Sequence, residues 1–253
     1  MHPYIASLYR DTFLPKYLSQ SLQIDKRLFS RNEVLDILGK ERKSFSALAS
    51  YIQEKKGLHF SEVLCSGTGS GALATTLSET LEIDRLTEID INPDVIARRQ
   101  LRNIDQTKRA AKVADVQSLP FEESTFSLSV AYAVLRYLSP LDRALDELYR
   151  TTQKGGTLLI GEGRKYQVID QAEKYFQSCY PQVKTERIEI PDVTLPNLTF
   201  AYLLMTLFEE HKDPQLHATI LQQTQERGLT PTEAIFELAS SLQGSIFLLV
   251  VEK

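Results

Sequence analysis

The chain has 253 residues, 42% hydrophobic and 25% charged, with a formal net charge of −4. This length allows one large α/β domain with elaborations or two small domains, and the composition is that of an ordinary soluble protein rather than a disordered or membrane one. The acidic balance leaves no electrostatic footprint for a nucleic-acid partner, and no apolar run approaches the roughly 20 residues of a membrane span.

Residues 1–57 carry apolar side chains at helical spacing: Ile5, Leu8, Tyr9 and Phe13, then Val34, Leu35 and Leu38, then Phe45, Leu48, Ala49 and Ile52. They predict a helical N-terminal extension or lid. From Ser61 onward strands and helices alternate. Val63-Leu64-Cys65 predicts a strand that breaks into Gly67-Thr-Gly69-Ser-Gly71 and a helix to Leu81. Arg85–Asp90 predicts a second strand, and Asn92-Pro93 opens a helix to about Asn103, Pro93 suiting a first turn where its missing N–H is not needed. Ala110–Asp115 and Phe126–Tyr132 predict the third and fourth strands. A helix is expected from Ser139 as N-cap, through Pro140, to Thr151, and a fifth strand over Thr157–Gly161 directly after Gly155-Gly156. Such alternation with short connections implies a parallel sheet covered on both faces by helices.

The last third changes character. Val183–Ile190 and Ser245–Val251 predict strands, separated by helices over Leu198–Glu210, Pro214–Arg227 and Thr230–Ser241, the last opened by a capping box, Thr230-Pro-Thr-Glu233. The expectation is a hairpin-like pair at a sheet edge, with a helical cap over about 191–243 inserted before the last strand. That cap and the N-terminal helices would together close a pocket.

Three alternating glycines at a strand-to-helix corner let a nucleotide-like ligand lie against bare backbone at a helix N-terminus. About 20 residues after the first glycine, where an acid at a strand end would meet a ribose, stand Glu88 and Asp90. The downstream landmarks separate this from a dinucleotide fingerprint. Ala111-Lys-Val-Ala-Asp115, then Leu119-Pro-Phe121, then Phe126-Ser-Leu-Ser-Val-Ala-Tyr132, then Lys154-Gly-Gly-Thr-Leu-Leu-Ile160 follow the order of Gly-Asp-Ala, Leu-Pro-Phe, Phe-Asp-Leu-Val and Lys-(Pro)-Gly-Gly. Over residues 61–162 the chain resembles the class I S-adenosylmethionine-dependent methyltransferases of small molecules.

The resemblance implies an α/β, Rossmann-like, seven-stranded, mostly parallel sheet with an antiparallel last strand, over residues 58–253. It implies S-adenosylmethionine as cofactor, with Gly67, Gly69 and Gly71 accepting its amino acid part and Asp90, in Asp-Ile-Asn-Pro, taking the ribose hydroxyls. Glu88 is the lesser choice. Asp115 would meet the adenine amino group, Val116 would lie beside the ring, and Ala131 and Tyr132 would pass the methionine part. The chain departs from the family at Cys65, where an acid that helps order the turn is usual, at Ser127 in place of Asp, and in lacking a proline before the fifth strand.

Plainer roles stand beside these. Asp90 and Asp115 also suit helix N-caps. Tyr132 and Arg136 are candidates to line the reaction site, or serve packing and a solvated face. Tyr4, Tyr9, Phe13 and Tyr17, with Tyr202, Met205 and Phe208, cap an apolar substrate or pack helices. Arg98, Arg99, Arg102, Lys108 and Arg109 read as a solvated helix face. Cys65 and Cys179 read as buried free thiols, and His2, His59, His211 and His217 lack metal-ligand spacing, so no metal is expected. Met1-His-Pro-Tyr-Ile-Ala6 lacks the regions of a secretion signal, and the expected location is the cytoplasm.

The expected activity is methyl transfer to a small apolar or aromatic metabolite, with no nucleic-acid or membrane partner. The alternatives are a non-catalytic or ligand-sensing partner subunit of the same fold, an enzyme using the bound sulfonium for a non-methylating reaction, and, more weakly, a dehydrogenase without a Tyr-x-x-x-Lys constellation. Acceptor choice would lie in residues 1–57 and 190–243.

Overall fold

Val63, Leu64 and Cys65 form an unbroken buried run, the signature of a strand covered on both faces, and the rest of the sheet is built around it. The structure is a computed structural model that describes residues 45–100, 108–162, 167–194, 204–205, 207–208, 211, 213–240 and 243–253. Seven strands, β1 (His59–Ser66), β2 (Glu82–Asp90), β3 (Arg109–Val113), β4 (Phe126–Tyr132), β5 (Thr152–Glu162), β6 (Lys184–Thr194) and β7 (Gln243–Glu252), make one sheet. Its order is β3-β2-β1-β4-β5-β7-β6. Strands β1 to β5 pair in parallel and β7 runs antiparallel to β5, as expected. The strand order reverses between β1 and β4, which makes their carboxyl ends the switch point where open α/β sheets bind ligands.

The chain divides into two compact units, one of residues 45–193 and 245–253, the other of residues 1–44 and 194–244. In the sheet unit, helix α1 (45–56) buries Leu48, Ala49 and Ile52 completely, and Lys56 Nζ reaches Glu252 Oε1 on β7 at 2.6 Å. The rest of the expected extension, residues 1–44, lies outside the described residues. Helix α2 (Ala72–Thr80) follows the glycine turn. Helix α3 (Pro93–Gln100) is opened by Asn92, whose Oδ1 accepts from the Asp94 N–H at 2.9 Å; its expected continuation to Asn103 lies outside the described residues.

Helix α4 (Asp142–Thr151) starts later than the sequence suggests. The Ser139–Pro140 peptide is cis, and Leu141, not Ser139, occupies the cap position without a side-chain hydrogen bond. Strand β5 starts earlier, because Gly155 takes φ +77° within it and the register shifts opposite Phe126 and Leu128, so the glycine pair is an irregularity inside the strand and not a turn before it. Helix α5 (Gln167–Cys179), absent from the expected elements, buries Val168, Ile169, Ala172 and Phe176 on one face. Phe176 packs against Tyr149, Tyr175 and Tyr180, and both Tyr175 and Tyr180 donate to Asp146 Oδ1, at 2.5 and 2.7 Å. Cys179 ends α5 exposed, correcting the expectation of a buried thiol; Cys65 is buried.

In the second unit, helix α6 (Pro214–Arg227) is capped by Asp213, which accepts from Leu216 N at 2.9 Å, and stopped by Gly228 at φ +65°. Helix α7 (Pro231–Ser240) carries the expected capping box: Glu233 accepts from Thr230 N at 2.7 Å while Thr230 Oγ1 accepts from Glu233 N at 3.3 Å. The expected helix over Leu198–Glu210 falls largely outside the described residues.

Because Phe176 is fully buried among these rings, Phe176→Ala is expected to lower unfolding free energy by about 3–5 kcal/mol in a denaturant titration. A loss below about 1 kcal/mol would mean that the ring does not anchor α5 to the sheet.

Candidate cofactor site

Because β1 to β5 are parallel, their last residues gather along one edge: Ser66 and the glycine turn, Asp90, the Val113–Asp115 segment, Tyr132 and Glu162. Gly67, Gly69 and Gly71 all adopt left-handed φ, at +66°, +51° and +76°. Each also has a distinct spatial role. A Cβ on Gly67 would lie 2.5 Å from Val134 Cγ2 and one on Gly71 would lie 1.9 Å from Arg99 Cζ, whereas one on Gly69 meets nothing closer than 3.9 Å. The exposed backbone of Gly69 therefore faces open space, as a ligand cradle requires.

Asp90 joins the turn to the next helix. Its Oδ2 accepts from Gly69 N at 3.1 Å and its Oδ1 from Asn92 N at 3.0 Å, while its carbonyl accepts from Ala114 N at 3.1 Å. The side chain is half-buried at the mouth of the switch point. Each carboxylate oxygen keeps a second lone pair for an incoming hydroxyl. Asp90 thus ties the glycine turn to the segment before α3, while the helix cap considered for it from sequence is supplied by Asn92.

One residue past Ala114, Asp115 accepts from Gln117 N at 2.9 Å through Oδ1 and holds the loop that follows β3. Val116 is buried in the core with Leu119 and Phe126. Ala131 is buried beside Ser66, its register partner on β1. Tyr132 stacks edge-on against Phe45 at 5.2 Å and covers Gly161, and Ala133 follows at φ +56°, its N–H donating to Gly161 O at 2.8 Å. Buried Ser66 Oγ, directly before the turn, has no hydrogen-bond partner among the described residues. These features fit S-adenosylmethionine: a Cβ-free cradle, an orphaned hydroxyl and a carboxylate at the strand end.

Glu88 is not an alternative ribose acid. It is completely buried, accepting from Thr68 Oγ1 at 2.5 Å, Arg99 Nε at 2.8 Å and Arg109 Nη2 at 2.8 Å. Burial alone would push its carboxyl up, but these hydrogen bonds and the two guanidinium charges hold it below the usual carboxylate range. Arg99 and Arg109 therefore do not belong to a solvated face, as their helix and strand pattern suggested. The Cys65 thiol is pushed up by burial and by the Glu88 charge, which makes it a neutral packing group and no nucleophile.

Arg136, on the 3₁₀ turn Leu135–Tyr137, forms an ion pair with Glu162 at the end of β5. Glu162 is fully buried and its Oε1 has no hydrogen-bond partner among the described residues. Burial pushes this carboxyl up to about 7 against the opposing pull of Arg136. No group of metal-ligating residues occurs among the described residues. Two open depressions, of about 290 and 490 Å³, are lined by residues such as Arg85 and Phe121, or His59 and Lys108, and by none of the turn glycines or strand-end acids.

Two measurements follow from this geometry. Gly71→Ala is expected to cost about 1–3 kcal/mol of stability through backbone strain alone, with a further loss from displacing Arg99. Gly69→Ala carries the strain without the collision, so denaturant titration should rank Gly71→Ala as the more damaging. For Glu162, the folded protein holds the proton more tightly than the unfolded chain, whose value is near 4.5. This group's contribution is therefore full below about 4.5 and is lost as pH rises to about 7, by on the order of 1–3 kcal/mol. Urea unfolding from about pH 5 to about pH 8 should show that decline in the wild type and a flatter profile in Glu162→Gln.

Residues 64–160 match the methyltransferase domain family. The chain is 31% identical over 112 residues to malonyl-[acyl-carrier protein] O-methyltransferase of Geobacter sulfurreducens, covering 43% of this chain and 42% of that protein. It is 31% identical over 120 residues to the ubiquinone/menaquinone biosynthesis C-methyltransferase UbiE of Escherichia coli O1:K1, covering 46% and 47%. The chain thus spans less than half the length of these curated relatives. The N-methyltransferase NodS of Bradyrhizobium japonicum, solved in complex with S-adenosyl-L-homocysteine, shares the fold with a TM-score of 0.52 at 17% identity, over 94% of this chain and 97% of that one. Residues 64–160 thus carry the match to the methyltransferase domain family, on a seven-stranded, mostly parallel sheet whose Rossmann-like fold is that of the NodS structure.

Proposed function

We propose that the protein binds S-adenosylmethionine at the carboxyl edge of β1, β2 and β4 and catalyses transfer of its methyl group to a small apolar or aromatic metabolite. The observation that carries this reading is the Asp90 carboxylate, bonded to Gly69 N and Asn92 N yet half-buried at the switch point. When bound, the cofactor supplies an electrophilic methyl on a sulfonium, whose departure leaves a neutral thioether. The chain's own part is alignment and exclusion of water. Gly67, Gly69 and Gly71 offer a backbone cradle to the amino acid part, Asp90 holds the ribose hydroxyls by charge-assisted bonds, and Asp115 and Val116 border the adenine. Ala131 and Tyr132 flank the methionine part; Arg136 is held by Glu162 next to that edge.

The departures from the family pattern bear on the non-catalytic reading. Ser127 sits early in β4, bonded to the Glu62 backbone at 3.0 and 3.3 Å, at the far end of the strand from Tyr132. Its replacement of an acid leaves the cofactor edge untouched, which favours the enzymatic reading. Acceptor choice is assigned to the segments outside the matched domain, the extension over 1–57 and the insertion over about 191–243. With an acidic net charge and, among the described residues, no helix long and apolar enough to cross a membrane, the inferred acceptors are dissolved small molecules in the cytoplasm, not nucleic acid.

Calorimetric titration with S-adenosylmethionine and S-adenosylhomocysteine tests the reading. Micromolar binding is expected, weakened in Asp90→Ala by about 1.5–3 kcal/mol, the worth of a hydrogen bond to a charged group. Absence of binding by folded protein, once co-purified ligand is excluded by mass spectrometry, rejects it. Release of S-adenosylhomocysteine with acyl-thioester and phenolic acceptors then separates a methyltransferase from a ligand sensor.

A further inference from the structure

Cys65 and Glu88 are register partners on adjacent parallel strands, so their side chains leave the same face of the sheet. That face is covered by α2 and α3, which bring Thr75 and Arg99 to the cluster. Position 65 contributes no charge there. The one carboxylate among these residues belongs to Glu88, and it is divided between two guanidinium groups and a hydroxyl: Thr68 Oγ1 and Arg99 Nε on Oε2, Arg109 Nη2 and Arg99 Nη2, the latter at 3.2 Å, on Oε1.

Two of these partners act on the turn itself. Thr68 lies between Gly67 and Gly69, and its N–H also donates to Ile89 O at 2.9 Å. Arg99 Nη1 donates to Ser70 O at 3.4 Å, and its guanidinium fills the space that a side chain on Gly71 would need. A free arginine end would swing aside; this one is held by the fork it makes with Glu88. The turn is therefore gripped at Thr68, Ser70 and Gly71 from its buried side, while Asp90 grips Gly69 from the exposed side.

We propose that Glu88 is the positioning residue of the glycine turn, setting through Thr68 and Arg99 the backbone shape in which Gly67 to Gly71 receive the cofactor. The inference rests on the cofactor reading above and adds to it the residue that maintains the site. Glu88 itself touches no ligand; its influence reaches the turn by the hydroxyl and the guanidinium. This also accounts for the burial of an acid within Leu86-Thr-Glu88-Ile, a stretch otherwise suited to a packed strand.

The test uses substitutions that leave the ion pairs largely in place, since Glu88→Gln would strand two buried guanidinium groups and threaten the fold. S-adenosylhomocysteine is titrated calorimetrically into wild type, Thr68→Val, Thr68→Ser and Arg99→Lys, well below each unfolding midpoint. Thr68→Val is expected to bind about tenfold more weakly, with Thr68→Ser restoring affinity because it keeps the hydroxyl. Arg99→Lys is expected to lose a similar factor of about ten, since lysine cannot fork onto Glu88 and reach Ser70 together. A purely structural role would lower the unfolding midpoints and leave the dissociation constants of the folded variants at the wild-type value, which overturns the proposal. Absence of binding by the wild type removes both readings; wild-type binding with unchanged variants removes this one alone.

Discussion

A carboxylate with no access to water is tolerated only if its charge is answered by several donors, and at Glu88 that requirement organises the ligand-facing end of the sheet. Its donors come from the glycine turn, α3 and β3. The three segments therefore cannot shift independently. Replacing such a cluster by apolar residues is often neutral for stability, while removing one partner costs several kcal/mol. The cluster is thus better explained by the geometry it imposes on Thr68, Ser70 and Gly71 than by net stabilisation.

Glu162 shows the opposite balance under similar burial. Both acids have essentially no exposure, yet Glu88 is held below the usual carboxylate range and Glu162 is pushed up to about 7. The difference is the number of donors: Glu88 has two guanidinium groups and a hydroxyl, whereas Glu162 has one guanidinium and an Oε1 with no hydrogen-bond partner among the described residues. Desolvation wins where donors are few. A strand-end acid that changes protonation near neutrality stands at the same edge as one that does not.

The sheet was legible because its signals are local. Phe126–Tyr132 is bounded by turn residues and appears as β4 with those limits, and Asn92-Pro93 and Thr230–Glu233 carry their caps in adjacent residues. Errors came where local chemistry had two outcomes. Gly155-Gly156 resembles a turn, yet a left-handed glycine also fits an irregularity within a strand; Ser139-Pro140 resembles a helix start, yet the helix begins at Asp142, after Leu141 as its cap. Helix α5 had a readable stripe in Val168, Ile169, Ala172 and Phe176.

At the site, Asp90 and the glycines could be found from spacing, whereas the pairing of Glu88 with Arg99 and Arg109 could not, because its members meet only through the packing of β2, β3 and α3. The available clue was the acid itself. An ionisable residue between Thr87 and Ile89 in a packed strand has to find cations, and those it finds are Arg99 and Arg109, which charge patterning assigns to solvent. Charge patterning treats basic residues as outward by default, so a buried acid on the neighbouring strand should reverse that default before any helix face is named. Applied here, that rule turns the absence of an acid at position 65 from a sign of a lapsed site into a question about where on the adjoining strand the charge has gone.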